Sequence, residues 1–120
     1  MRKLSPRTHL RNLRRLLRIG DDLLKSRPSN FGFGDTDCGA YACLIGHYLR
    51  AHGPNEPYRD WCEIFGLRDD TAERLFGYGY HHGNPDADEP GEEAFAELER
   101  RLQIVRRAIK RKQSSAGETR

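Results

Sequence analysis

Leucines recur at helical spacing near the start of the chain. In HLRNLRRLLRIGDDLLKSRPSN, Leu10, Leu13, Leu17 and Leu24 follow the i, i+3, i+7 spacing of one helix face, which Leu16, Ile19 and Leu23 widen, with arginines between them. This pattern predicts an amphipathic helix that Pro28 breaks. A second long stripe lies near the other end, where Phe95, Leu98, Leu102, Val105 and Ile109 alternate spacings of three and four residues. Glu92, Glu93 and Glu97 stand near its start and the basic run 106–112 at its end, the order a helix dipole favours.

Between the two stripes, residues 38–52 (CGAYACLIGHYLRAH) carry apolar positions on every side, as a buried central helix does. Asp35, Thr36 or Asp37 can cap its start, and Gly53-Pro54 ends it. Gly39, Cys43 and Gly46 fall on one small-residue ridge suited to a close helix contact. Phe31 and Phe33, in a Gly-rich loop, are expected to fold back on the core. Two short helices follow: 59–65, stopped by Gly66, and TAERLF, where Asp70 and Glu73 have capping-box spacing. The segment GYGYHHGNPDADEPGE reads as a loop and QSSAGETR as a disordered tail. No strand signal and no internal repeat appears. The expected fold is therefore all-α: a single domain over residues 1–112, with four to five helices around the helix at about 38–52. The first and last helices wrap that helix, Trp61, Phe65 and Phe76 close one end, and residues 113–120 form the tail.

Composition narrows the class. A chain of 120 residues suits one domain, and 36% hydrophobic against 32% charged residues suits a compact, small-cored protein. No run approaches the roughly 20 apolar residues of a membrane span. The basic start lacks the apolar stretch of a secretory signal, and its leucine period belongs to the first helix. Three cysteines are too few for a disulfide scaffold and point to a reducing cytoplasm. No cofactor motif is present: there is no phosphate-binding glycine loop, and Asp86, Asp88 and Glu89 lack EF-hand spacing.

The overall charge of +3 is unevenly spread. Residues 1–30 carry +7, residues 31–99 carry −11 and residues 100–120 carry +7. If the two long helices are neighbours, Arg11, Arg14, Arg15 and Arg18 join Arg107, Lys110 and Arg111 in one cationic patch, with His81 and His82 as further contact residues. Such a patch can hold phosphates. It contains no aromatic residue for base stacking, and the acidic middle opposes a nucleic-acid backbone, so a protein partner is the expectation.

Two chemical alternatives centre on cysteine. Cys38 at a helix start is placed to be a stabilised thiolate. The stretch DTDCGAYACLIGHYL resembles, over about fifteen residues, the Asp-Cys-Gly nucleophile motif of SUMO-protease-like peptidases. In that group a His stands upstream on a strand, and a Gln supplies the oxyanion hole. Here the upstream His is His9 on a basic helix, and the glutamines are Gln103 and Gln113. A permuted order would pair Cys38 with His81 or His82. For a metal, Cys43 and His47 share a helix face at i, i+4, and Cys62, His52, His81 or His82 can complete a tetrahedral set. No C-x-x-C or H-x-x-x-H pair supports it, and no metal is expected.

A wider resemblance rests on Phe31 and Phe33, then Cys38, Gly39, Ala42, Cys43, Gly46 and His47, then Phe65, Gly66 and Leu67, then Leu75 and Phe76. Their order resembles the F-x-M/F, CGT-x-A-C-x-x-G-H/W-A, LGL, LF pattern of a group of small phage and bacterial proteins, over roughly residues 10–80. The chain departs at Ala40, where that group carries Thr, and at Tyr48, where it carries Ala. The resemblance implies a phage or mobile-element origin and no particular activity. The resulting expectation is an accessory protein that binds a macromolecular partner without catalysis. The alternative is a thiol hydrolase using Cys38.

Overall fold

The computed structural model describes residues 4–32, 44–52, 61–76, 86 and 89–115. Within them the chain is all-helical, with five helices and no strand: α1 Pro6–Ser26, α2 Leu44–His52, α3 Trp61–Phe65, α4 Asp69–Phe76 and α5 Glu92–Ser115. Local chemistry sets the ends of α1. The Ser5 side chain accepts a hydrogen bond from the Thr8 amide, and Pro6 sits where no intrahelical donor is needed. At the other end Arg27 adopts a left-handed conformation with φ 46°, its amide bonded to the Leu23 carbonyl at 2.8 Å.

A non-glycine residue in that conformation needs support. Arg27 has it from α5: its guanidinium pairs with Glu92 at 2.9 Å and lies 5.1 Å from the centre of the Phe95 ring. With Arg106 on Asp21 at 3.1 Å, this makes α1 and α5 antiparallel neighbours. The buried face of α1 (Leu13, Leu16, Gly20, Leu23) packs in one core with Ala94, Phe95, Leu98, Leu102, Val105 and Ala108 of α5.

Leu44, Ile45 and Tyr48 bring α2 into this core, while Arg50 and Ala51 are exposed. Phe65 of α3 contacts Tyr48 edge-on at 5.1 Å and Phe76 of α4 at 5.5 Å, closing one end of the bundle. Phe31 folds back as expected, stacked 5.4 Å from Phe95. Gly66 ends α3 at φ 64°, with the Leu67 amide on the Cys62 carbonyl at 3.0 Å.

Several expected boundaries move. The fourth helix starts at Asp69, so Asp70 lies in its first turn, where its carboxylate accepts from the Thr71 amide at 2.8 Å. The last helix continues through Ser115, three residues past the expected tail boundary. Its final turns are held against α1, with Lys112 half-buried beside His9 and Gly66. The start of the helix expected from residue 38, with Cys38, Gly39 and Cys43, lies outside the described residues.

Candidate binding surface

Arg7, Arg11, Arg14 and Arg18 repeat along α1 at spacings of four, three and four residues. That period puts them on one face, opposite the leucine stripe. With Leu10 and Arg15 they line a groove of about 560 Å³. Among the described residues none of the five arginines has a carboxylate within ion-pair distance. Concentrating this much positive charge on one helix face raises the local potential for an anion.

The basic residues of α5 are used differently. Arg101 is fully buried; its Nε donates to Glu97 at 2.7 Å and its Nη1 to the Leu75 carbonyl at 3.0 Å, tying α5 to the end of α4. Arg100 also pairs with Glu97, and Arg106 with Asp21. Burial alone would raise the Glu97 carboxyl, but the hydrogen bonds and charges of Arg100 and Arg101 hold it below its ordinary value. Arg107, Lys110 and Arg111 are exposed on α5, and none of them lines the α1 groove. Among the described residues the groove is lined by α1, and it gains Arg7, which sequence reasoning passed over although it stands four residues before Arg11.

Two residues of α2 border the arginines. Tyr48 is buried with its ring 4.9 Å from that of His52. Burial pushes the Tyr48 hydroxyl up, against the opposing influence of the Arg15 and Arg11 guanidiniums. Burial, then the charges of Arg15 and Arg11, pushes the His52 imidazole down from its ordinary value. The sequence marks His52 only as a possible metal ligand; its place beside the arginines depends on how α2 lies on α1.

The remaining candidates separate. Cys62 donates its thiol hydrogen to Asp69 at 3.1 Å. His47 is half-buried with its ring 6.0 Å from Phe31, and its Nε2 is enclosed without a hydrogen-bond partner. Burial, then Arg50, pushes it down, which favours the neutral imidazole. Among the described residues no three His, Cys, Asp or Glu side chains converge as metal ligands would. Cys38, Cys43, His81 and His82 lie outside the described residues, so no observation favours the hydrolase. No helix among the described residues is long and apolar enough to cross a membrane. No protein-family model, curated protein or solved structure matches the chain.

Proposed function

We propose that the chain is a non-catalytic accessory protein that binds an acidic protein partner along α1. The observation that carries this reading is the ladder of Arg7, Arg11, Arg14 and Arg18, which lines an open groove and pairs with no carboxylate among the described residues. The ladder spans ~16 Å at 1.5 Å per residue. A second helix presents side chains at the same four–three–four spacing, so an acidic helix lying along α1 meets each guanidinium with a carboxylate. Guanidinium groups suit this because they bind carboxylates in paired, planar hydrogen bonds.

A nucleic-acid backbone also offers anions, but one feature favours protein. Among the described residues that line the groove there is no aromatic ring to stack on a base. The phage or mobile-element setting is part of this proposal and rests on the order of the Phe31, Cys38-Gly39, Gly46-His47 and Leu75-Phe76 signatures.

The test is equilibrium binding, at ~150 mM salt, of an alanine-based helical peptide carrying glutamates at i, i+4, i+7 and i+11, beside duplex DNA and RNA of matched length. The expected result is saturable peptide binding tighter than either nucleic acid. Tighter binding to DNA, with log affinity falling by about 0.9 per neutralised phosphate against log salt, would replace the protein partner with a nucleic acid.

A further inference from the structure

The arginine ladder meets a titratable group on its α2 side. Arg11 and Arg15 line the groove and are also the charges that bear on His52. The same two arginines bear on the hydroxyl of Tyr48, which is buried one helical turn before His52 and holds its ring against it at 4.9 Å. On its other side Tyr48 rests edge-on against Phe65 of α3, an apolar contact that fixes the tyrosine in place. Within α2, the charge of Arg50 bears on His47, not on His52. Among the described residues no carboxylate from any element bears on His52; the charges that do are the two arginines of α1.

We infer that this seam is a proton-linked anchor: Arg11 and Arg15 take one carboxylate of the acidic partner, and His52 takes up a proton from solvent as they do. The physical reason is charge compensation. In the free protein, burial and then the Arg15 and Arg11 charges disfavour the imidazolium, so His52 is neutral at neutral pH. A carboxylate seated between the arginines cancels much of their field at the imidazole and adds an opposite charge beside it. Both changes favour the protonated ring. The complex then holds more protons than the separated molecules, and by linkage affinity rises as pH falls. One linked proton limits the effect to about tenfold per pH unit. The gain ends once the free protein is itself protonated at His52.

This inference rests on the proposed binding of an acidic partner along α1, and the experiment separates the two. The probe is the glutamate-bearing helical peptide with a fluorescent label, titrated with the full chain from pH 8.0 to 5.5 at fixed salt. Glutamate stays ionised over this window, since its ordinary pKa is about 4.3. The expected result is a dissociation constant that falls by roughly threefold to tenfold towards pH 5.5. His52→Gln is expected to remove most of that dependence. Wild-type binding with no pH dependence, or with a dependence that His52→Gln leaves intact, overturns the inference while the acidic-partner reading stands. No peptide binding at any pH overturns both. Should His52→Gln fail to fold, the His52 ring resonance of the wild-type chain is titrated by NMR with and without saturating peptide. Its midpoint is expected to rise on binding, and an unchanged midpoint overturns the anchor.

Discussion

Gly20 of α1 sits directly against Leu102 of α5. A Cβ at position 20 would stand 3.1 Å from the Leu102 Cγ and closer still to both methyl groups. Leu102 is fully buried, so its side chain has little room to move aside. This contact lets the two long helices lie close enough for their leucine stripes to interdigitate.

Gly20→Val is therefore expected to destabilise the fold by about 2–3 kcal/mol, the usual cost of overpacking a well-filled core. In a thermal melt followed by circular dichroism this is a fall of roughly 10 °C or more. Gly20→Ala should cost less, because alanine recovers about 1 kcal/mol of helix propensity against a smaller clash. A Gly20→Val melt within two degrees of wild type, about the size of a marginal change, would mean that α1 and α5 do not meet here.

Asn12 is buried on α1 and donates from Nδ2 to the Ile64 carbonyl at 2.8 Å, across to α3. Asn12→Ala leaves that carbonyl short of a donor and should cost about 1–3 kcal/mol in chemical denaturation. Asn12→Asp should be worse at neutral pH, where an ionised carboxylate faces a carbonyl oxygen, and should recover towards Asn12→Ala as acid protonates it. Equal stabilities of wild type and Asn12→Ala would remove this hydrogen bond from the forces that seat α3.

Glu97 carries a pH dependence whose sign follows from its surroundings. Arg100 and Arg101 outweigh burial and hold its folded-state pKa below the unfolded value of 4.5. The folded chain thus binds this proton less readily than the unfolded chain. The stabilisation is present above pH 4.5 and is lost as pH falls through the lower, folded value. Glu97→Gln should flatten stability against pH in this acid range. Glu97→Ala should cost about 3–5 kcal/mol at pH 7, because it strips the carboxylate from the buried Arg101 guanidinium. A denaturation series from pH 3 to 7, about the span over which carboxylates titrate, checks both. An unchanged acid slope in Glu97→Gln would contradict the assignment.

Much of the fold was legible because helices repeat every 3.6 residues and a buried face must show that period. Leu10, Leu13, Leu16 and Leu23 on α1, and Phe95, Leu98, Leu102 and Val105 on α5, occupy the core as their spacing predicts. Gly20 was not legible as a contact, since a glycine inside a helical stripe signals only lost propensity until Leu102 is known to face it. Arg101 sits in a basic block that reads as solvated surface. Its burial depends on the Leu75 carbonyl of α4, 26 residues earlier, although Glu97 at i−4 offered a local hint. The candidate surface was half legible. The arginine period of α1 is plain in sequence, but Arg107, Lys110 and Arg111 do not line its groove. Likewise, only the packing of α2 on α1 brings His52 and Tyr48 to Arg15.

The α1 groove is tested most directly by charge reversal on the two basic helices, read as binding of the glutamate-bearing peptide at ~150 mM salt. Arg14→Glu with Arg18→Glu is expected to weaken binding at least tenfold, a loss of ~1.4 kcal/mol or more. The matched pair Arg107→Glu with Arg111→Glu, on exposed α5 positions outside the groove, is expected to weaken it less than about threefold, a long-range effect that salt screens. Equal losses from the two pairs, or a larger loss from the α5 pair, would contradict a binding surface built by α1.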